Sequence, residues 1–419
     1  MRAAIEADQL EKLRALLSAL PGHNPFYSRK LRGVEHVADL ESFSARVPFT
    51  TKRELIDDQH LNAPYGSNLT YPLDRYTRFS QTNGTTGTPL RWLDTPESWE
   101  WMCGNWMRVF GAANVGAGDR IFFAFSFGPF LGFWVAFEAA TRMGCLSIPG
   151  GGMRTSARLR AILDNEATVL CCTPTYALRL GASAIEEGLD LSHSKVRRII
   201  VAGEPGGSIR ATQARIEELW PGAHVVDHHG MTEVGPVSYS CPKRDRVLHV
   251  IEASYFAEVI DPSTASAVAP GDRGELVLTN LGRTGSPLIR YRTGDIVQRG
   301  ATQPCECGTD DLALEGGILA RTDDMIVVRG VNLYPSAIED ILRGCDGVAE
   351  YRVEIRTERS LSELSIQVEP LRPDLRETSL AHRLESALRD ALGLRIPVSI
   401  VPQGALPRFE MKAQRWVRV

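Results

Sequence analysis

The hydrophobic pattern changes character along the chain. From about residue 115, short apolar runs alternate with helical patterns, which is typical of βαβ units on a mostly parallel sheet. The runs span residues 121–125, 169–172, 198–202 and 224–227. Thr173 and Pro174 follow the second run. A threonine N-cap with proline at the first helical position predicts that a helix begins there.

Two further patterns follow. Between residues 250 and 297, apolar runs such as 275–279 are separated by proline and glycine turns, which predicts antiparallel strands or a small barrel. After residue 320 the order is a strand at 325–328, a helix at 335–342, strands at 349–355 and 362–368, a second helix, and a strand at 398–401. The second helix has one apolar face, formed by Leu380, Leu384, Leu388 and Leu392.

These patterns predict an α/β fold with two domains. The N-terminal domain, residues 1–320, combines mostly parallel sheets flanked by helices with a small β-barrel region. The C-terminal domain, residues 321–419, has the order β-α-β-β-α-β and is expected to be a small, mobile α+β unit.

Composition excludes several classes of function. The 419 residues are 43% hydrophobic and 23% charged, and a net charge of −4 argues against nucleic acid as the main partner. The longest apolar stretch, 121–140, is interrupted by polar residues, glycines and a proline, which predicts a buried strand, turn and helix rather than a membrane span. The N-terminus lacks the apolar core of a signal peptide, and eight cysteines in so long a chain are no disulfide framework. We therefore expect a cytoplasmic protein without a membrane partner.

Residues 80–89 read Ser-Gln-Thr-Asn-Gly-Thr-Thr-Gly-Thr-Pro. The glycines of such a loop let successive N–H groups form an anion-binding concavity. Alone, the loop could equally be a flexible connection, and it lacks the G-K-[ST] of a P-loop. Five more polar segments punctuated by glycine or proline follow in order: 202–205, 229–233, 291–295, 321–324, and 406–408 leading to Lys412.

This ordered set resembles the acyl-adenylate-forming superfamily, whose members bind AMP, and within it the phenylacetate–CoA ligase branch. The branch is indicated by residues 287–295 and 323–332, together with Pro335 and Glu339. The resemblance runs from about Thr51 to the C-terminus. It implies that Mg-ATP activates a carboxylate to acyl-AMP with release of pyrophosphate, and that a thiol, usually that of CoA, then displaces AMP.

The resemblance also implies the nucleotide-binding residues. Asp295 would accept hydrogen bonds from both ribose hydroxyls, and Arg321 would also reach the ribose. Thr232 would contact the α-phosphate and Glu233 would bind Mg²⁺. The β- and γ-phosphates would lie against Thr82, Asn83, Gly84, Thr85, Thr86 and Gly87. The adenine side would comprise Gly203, Glu204, Pro205, His228, His229, Gly230 and Met231, with His229 in place of a stacking tyrosine.

The remaining implied roles lie near the C-terminus. Lys412 would bridge the acyl oxygen and the phosphate during adenylation. Asp323 would be the hinge between the two half-reactions, and Gly330 and Arg329 would line the CoA channel. Thr88 stands where most relatives have a lysine, so we expect a raised KM for ATP.

Four residues have the composition of a zinc site. Cys241, His249, Cys305 and Cys307 offer three thiolates and one imidazole, which satisfy tetrahedral Zn²⁺. The alternative is that they are small buried residues or inert surface thiols.

An aromatic cluster indicates the substrate. Phe127, Phe130, Phe133 and Trp134 are interleaved with glycines in the region where relatives place the acyl pocket, which favours an aryl or arylacetic acid. The alternative is that these side chains belong to the hydrophobic core, which we expect for at least half of the aromatic residues in this region. Two other functions stay open: a biosynthetic adenylating enzyme that passes the acyl group to a carrier protein or an amine, and a non-catalytic nucleotide-binding protein. The sequence also leaves homodimerisation open.

Overall fold

The computed structural model describes residues 2–34, 36–82, 89–301, 304–322, 326–328, 331–358, 361–372, 377–409 and 414–419. Its helices are α1 (Arg2–Ala19), α2 (Pro25–Lys30), α3 (Leu40–Arg46), α4 (Lys52–Leu61), α5 (Pro96–Ala112), α6 (Trp134–Arg142), α7 (Thr155–Asp164), α8 (Pro174–Glu186), α9 (Arg210–Leu219), α10 (Pro335–Gly344) and α11 (Glu377–Leu392).

The strands of the first two thirds of the chain are β1 (Arg78–Gln81), β2 (Arg91–Asp94), β3 (Arg120–Phe123), β4 (Leu146–Pro149), β5 (Val169–Cys172), β6 (Arg198–Val201), β7 (His224–Asp227), β8 (Gly230–Met231), β9 (Gly235–Pro236), β10 (Ser238–Ser240), β11 (Val247–Val250), β12 (Tyr255–Ile260) and β13 (Arg273–Asn280). They are followed by β14 (Tyr291–Arg299), β15 (Ala313–Arg321), β16 (Ile326–Val328), β17 (Val331–Leu333), β18 (Val348–Glu358), β19 (Leu361–Pro370), β20 (Val398–Ile400) and β21 (Trp416–Arg418).

A five-stranded parallel sheet has the order β4-β3-β5-β6-β7. Its strands are covered on both faces: on β3, Ile121 and Phe123 belong to one buried cluster and Phe122 to another. The four predicted runs are confirmed, and Thr173 caps α8 by accepting a hydrogen bond from the Tyr176 N–H. β3 ends two residues earlier than predicted, because the chain turns through Phe127 at a φ of +53°.

The predicted antiparallel region forms a six-stranded sheet with the order β10-β11-β15-β14-β13-β12. β14 and β15 are neighbours, and their register sets Asp295 opposite Arg321. Two residues that are 26 positions apart in sequence are therefore held side by side.

A four-stranded sheet, β20-β19-β18-β21, forms the C-terminal part with α10 and α11. Leu380, Leu384 and Leu388 are buried on α11, as their spacing predicts. β17 and β21, of three residues each, were not predicted. The buried cluster of this part runs from Val328 to Val398. The domain boundary at residue 320 stays a prediction, and Asp323 lies outside the described residues.

The apolar stretch 121–140 folds as β3, a turn and most of α6. Among the described residues, the helices are too short or too polar to cross a membrane.

Candidate active site

A buried carboxylate lies at the centre of the site. Asp295 is 3% exposed. Its Oδ1 accepts a hydrogen bond from Arg321 Nη1 at 2.7 Å, and its Oδ2 lies 2.9 Å from His229 Nε2. Burial acts to raise the pKa of Asp295, but the hydrogen bonds and charges of His229 and Arg321 outweigh it and hold that pKa below its ordinary value. The carboxylate is therefore ionised and accepts at both oxygens.

Gly294 makes this arrangement possible. Its φ is +77°, and a Cβ at this position would lie 3.2 Å from Arg321 Nη2. A side chain would thus be both strained and in the way of the guanidinium. His229 completes the group: because Asp295 is ionised, Nε2 donates to it, and the buried Nδ1 has no partner within the described structure.

His228 has different neighbours from His229. Its Nδ1 lies 2.7 Å from the Ser238 carbonyl oxygen, and its ring centroid lies 4.2 Å from that of Trp106. Burial lowers the pKa of His228 to about 3, so the ring is neutral. The two adjacent histidines, both predicted on the adenine side, therefore belong to different environments. Asp227, at the end of β7, was not singled out in the sequence; it is half-buried and accepts a hydrogen bond from the Ser208 hydroxyl.

Glu233 is 4% exposed and lies next to a cation. Lys52 Nζ, at the first residue of α4, is 3.2 Å from Glu233 Oε1, and the Tyr291 hydroxyl is 3.5 Å from the same oxygen. The Thr51-x-x-Glu54 capping box could have predicted where α4 begins. Nothing in the sequence indicated that Lys52 would reach Glu233.

A buried ion pair fixes the backbone that carries Thr232 and Glu233. Arg283 Nη1 donates to the carbonyl oxygens of both residues at 2.8 and 2.9 Å. Its Nε and Nη2 donate to the two carboxylate oxygens of Asp94, each at 2.6 Å. Both side chains of the pair are 0% exposed. Sequence reasoning missed this pair, because a lone arginine and a lone aspartate 189 residues apart form no motif.

The predicted phosphate loop follows β1. Thr82 closes its base: its N–H donates to the Leu90 carbonyl oxygen, and its Oγ1 accepts from the Leu90 N–H. Gly203, Glu204 and Pro205 follow the end of β6, and Glu204 Oε1 accepts from the Thr175 N–H at 2.9 Å. Gly230 and Met231 form the short strand β8. The other predicted site residues lie outside the described structure: Asn83, Gly84, Thr85, Thr86, Gly87, Thr88, Asp323, Arg329, Gly330 and Lys412.

The predicted aromatic pocket divides into core and partly exposed rings. Phe133 is 5% exposed and packs on Trp106, so it belongs to the core. Phe127 is half-buried and lies against Phe125 with ring centroids 4.0 Å apart. Trp134 is 37% exposed and packs edge-on to Phe127, and Phe130 is half-buried. Of the four predicted pocket rings, Phe127, Phe130 and Trp134 thus have surface available to a ligand.

The cysteine and histidine ligands come together as predicted. The ligand atoms of Cys241, His249, Cys305 and Cys307 all lie within 4.8 Å of one another. The Cys241 and Cys305 sulfurs are 3.6 Å apart, as are the Cys307 sulfur and His249 Nε2. Ligands around a tetrahedral Zn²⁺ would be separated by about 3.6–3.8 Å. His249 Nδ1 lies 3.1 Å from the Asp311 carbonyl oxygen, which leaves Nε2 free to bind a metal.

Known proteins resemble the chain over most of its length. Residues 80–282 match the AMP-binding enzyme family, and residues 330–418 match the AMP-binding enzyme C-terminal domain. The chain is 30% identical to the phenylacetate-coenzyme A ligase of Escherichia coli K12 over 98% of its length and 94% of the relative. It is 29% identical to the Thermus thermophilus phenylacetate-coenzyme A ligase over 98% of its length and 95% of the relative.

Solved structures of a 2-hydroxyisobutyryl-CoA ligase are also similar. In the postadenylation state with 2-HIB-AMP, this ligase superposes with a TM-score of 0.91 at 27% identity, covering 99% of the chain and 89% of the ligase. In its thioesterification state, the TM-score is 0.75 at 28% identity, with 100% and 90% covered.

The chain belongs to the acyl-adenylate-forming (AMP-binding) superfamily, in its phenylacetate–CoA ligase-like branch. It is an adenylate-forming acid–CoA ligase, a class whose substrates are ATP and CoA and which generally uses Mg²⁺.

Proposed function

We propose that the protein is an aryl-CoA ligase that joins an aryl or arylacetic acid to CoA with cleavage of ATP to AMP and pyrophosphate. The observation that carries this proposal is that β14 carries one buried carboxylate and contacts a second one. Asp295 lies on this strand, and Tyr291 at its start approaches Glu233. We assign the first carboxylate to the ribose and the second to a metal-bound phosphate.

In the first half-reaction the carboxylate oxygen of the acid attacks the α-phosphorus, and pyrophosphate leaves. Two anions must approach each other, so their charges have to be neutralised. Asp295 and Arg321 would hold the ribose, and Thr232 the α-phosphate. Thr82 with residues 83–87 would hold the β- and γ-phosphates, residues 203–205 and 228–231 would surround the adenine, and Lys412 would bridge acyl oxygen and phosphate. Glu233 would bind Mg²⁺, which supplies charge neutralisation at the phosphates.

The aromatic class of acid is supported by a cluster of aromatic side chains. Phe127 and Trp134 meet edge to face, with ring centroids 4.8 Å apart. The faces and edges of these two aromatic side chains pack favourably against the planar ring of an aromatic acid. The relatives named phenylacetate-coenzyme A ligase share this branch.

In the second half-reaction the CoA sulfur attacks the acyl carbon and AMP leaves. We place the hinge for the change between half-reactions at Asp323, between domains 1–320 and 321–419, and the thiol channel beside Arg329 and Gly330. Support comes from the difference in similarity to two states of one relative, since the TM-score falls from 0.91 to 0.75 between its postadenylation and thioesterification structures.

Carboxylate-dependent exchange of pyrophosphate into ATP tests the first half-reaction. We expect exchange with members of a panel of benzoic, phenylacetic and cinnamic acids, and little with short aliphatic acids. Adding CoA should then yield the aryl thioester by mass analysis. Exchange without thioester, but with transfer to an amine or a carrier protein, would favour the biosynthetic alternative. Exchange with none of the acids would contradict an adenylating enzyme.

We also propose that Cys241, His249, Cys305 and Cys307 hold a structural Zn²⁺. Three thiolates and an imidazole whose other nitrogen is hydrogen-bonded are the donor set that such an ion prefers. Protein purified without chelator should contain one zinc per chain. Cys307→Ser should lower the zinc content and the melting temperature, while Cys103→Ser, at a buried cysteine outside the cluster, should leave the zinc content unchanged. A zinc content near zero in the wild type would contradict the proposal.

A further inference from the structure

Two buried carboxylates lie opposite each other in the C-terminal sheet. Glu350 on β18 and Glu369 on β19 are register partners, and they are 6% and 0% exposed. Like charges at directly opposed positions of neighbouring strands repel each other, so this pair is costly unless cations compensate it. Arg408 and Arg415 supply these cations, one for each carboxylate. In the sequence they lie on either side of Lys412, four residues before it and three residues after it.

Glu369 holds the segment that precedes Lys412. Its Oε1 accepts from the Gly404 N–H at 2.7 Å, and its Oε2 accepts from the Leu406 N–H at 3.2 Å. Both terminal nitrogens of Arg408 donate to the same carboxylate, Nη1 to Oε2 at 3.0 Å and Nη2 to Oε1. Burial acts to raise the pKa of Glu369, but these hydrogen bonds outweigh it and hold that pKa below its ordinary value. The carboxylate is therefore ionised at neutral pH and fixes the chain that leads to Lys412.

Glu350 holds the segment that follows Lys412. Arg415 donates to it from Nε at 2.7 Å and from Nη2 at 3.2 Å, and the arginine side chain is 6% exposed. The residues after Arg415 form β21, which pairs with β18. Arg415 Cζ also lies 6.0 Å from the centroid of the Phe409 ring, so the two flanks of residues 410–413 approach each other. These four residues therefore connect two points that are both held by buried carboxylates.

Stability alone does not require this arrangement. A buried ion pair is often no more stabilising than apolar side chains of similar volume, but it defines one geometry, because the two charged groups must stay in contact. A lysine that acts in a transition state gives a larger rate when its backbone is positioned before the substrates arrive. The two ion pairs therefore suit a role in placing the segment of Lys412 better than a role in folding alone.

We propose that Glu369 is a positioning residue for adenylation, which fixes, through Arg408 and two backbone N–H groups, the segment that carries Lys412. This inference rests on the proposed function, in which Lys412 bridges the acyl oxygen and the phosphate during the first half-reaction. Lys412 has no assigned role in the second half-reaction, in which CoA displaces AMP. The effect of Glu369 should therefore be confined to adenylation.

A double-mutant cycle of Glu369→Gln with Lys412→Ala tests the proposal. The acid is whichever benzoic, phenylacetic or cinnamic acid gives the fastest pyrophosphate exchange in the wild type. Glutamine keeps the shape of the side chain but loses the charge and one acceptor, so we expect kcat for exchange to fall roughly tenfold to a hundredfold, with KM for ATP changed much less. In the Lys412→Ala background the same change should cause little further loss, because the residue through which it acts is absent. Thioester formation from the synthetic acyl-AMP and CoA should keep the wild-type rate.

The remaining variants separate positioning from stability. Arg408→Lys keeps a charge beside Glu369 and Arg408→Met does not, so exchange should fall in the order wild type, Lys variant, Met variant. Glu385→Gln is the matched control, because Glu385 Oε1 accepts from the Val398 N–H at 3.0 Å and so holds a different segment of the C-terminal part. It should leave both half-reactions unchanged. If Glu369→Gln does not fold, as judged by circular dichroism, the two Arg408 variants, each also combined with Lys412→Ala, decide.

Equal losses in exchange and in thioester formation, or a full further loss in the Lys412→Ala background, would overturn the inference, because Glu369 would then only stabilise the C-terminal part. A Lys412→Ala variant that exchanges pyrophosphate at the wild-type rate would also overturn it, but would leave the proposed ligase activity intact. Exchange with no acid in the wild type would remove both.

Discussion

None of the sequence motifs explains the position of Lys52. It projects from the first turn of α4 and lies 3.2 Å from Glu233 Oε1, where Mg²⁺ and the phosphates would be held. The predicted phosphate loop has Thr88 where the resemblance to the family predicts a lysine. A cation delivered from α4 would restore positive charge to this end of the nucleotide.

Replacing Lys52 with methionine tests this role. Met preserves the length of the side chain and removes the charge, so we expect kcat/KM for ATP to fall by roughly tenfold or more, even at saturating Mg²⁺. The measurement is pyrophosphate exchange at varied ATP. Arg53→Met is the matched control, because Arg53 is the next residue on the same helix, is 81% exposed and pairs with Asp57. An equal loss of kcat/KM for ATP in both variants would show that Lys52 acts only by stabilising α4.

The motifs singled out residues that the structure brings together, but they did not indicate the residues that support them. Asp295, Arg321 and His229 meet because strand pairing and a chain turn bring three distant motifs to one place. Lys52 and Arg283 were missed, since a single charged residue has no spacing that could reveal its partner. His228 and His229 were grouped together, although neighbouring side chains in extended backbone point to opposite sides.

Among the elements, the hairpin of β1 and β2 depends on the buried pair between Asp94 and Arg283. β2 ends at Asp94, and the loop between the two strands contains the predicted phosphate-binding residues. Arg283 also holds the backbone of Thr232 and Glu233. One guanidinium thus connects the two segments assigned to the phosphates, so we infer that it positions them relative to each other.

Arg283→Lys should damage the site more than the fold. Lysine keeps the positive charge, but it cannot make the bidentate ion pair with Asp94 and also donate to the carbonyl oxygens of Thr232 and Glu233. We expect KM for ATP to rise at least tenfold, with a lowered melting temperature. Glu258→Gln is the control, because it weakens another buried pair, with Arg290, in which the two side chains are 7% and 11% exposed. It should lower the melting temperature with KM for ATP unchanged. If both variants raise KM alike, the effect is general destabilisation.

Helices and strands were predicted correctly where the hydrophobic pattern extends over enough residues. Leucines at every fourth position fixed α11, and the apolar runs fixed the strands of the parallel sheet. β21 was missed, because three residues pair with β18 through backbone bonds that depend on the tertiary fold. The six-stranded order of the antiparallel sheet could not be read from the sequence, since it depends on pairing between strands far apart in the chain.

Arg415 is one of the residues through which the C-terminal part contacts the rest of the chain. Its guanidinium makes two hydrogen bonds to Glu350, at 2.7 and 3.2 Å, and donates to the Thr175 hydroxyl at 3.3 Å. Thr175 lies at the start of α8, and its N–H binds Glu204. Arg415 follows Lys412 by three residues. This contact therefore ties the segment of the predicted catalytic lysine to the predicted adenine segment.

The two parts of the chain are arranged more as in the postadenylation state of the 2-hydroxyisobutyryl-CoA ligase than as in its thioesterification state. The chain superposes on the postadenylation structure with a TM-score of 0.91 and on the thioesterification structure with 0.75. If the two half-reactions use different arrangements, the contact of Arg415 with Thr175 should stabilise only the arrangement used for adenylation.

We expect Thr175→Val to affect the rates of the two half-reactions differently. Valine has nearly the same shape but no hydroxyl, and the backbone bond to Glu204 remains, so the fold should be preserved. A hydrogen bond of this length to a charged donor suggests a loss of about threefold to tenfold in pyrophosphate exchange. Thioester formation from synthetic acyl-AMP and CoA should be unchanged or faster, because the competing arrangement is weakened. Thr175→Ser retains the hydroxyl and should behave as wild type. Equal losses in both half-reactions of the Val variant would mean that Thr175 supports α8 rather than the position of the C-terminal part.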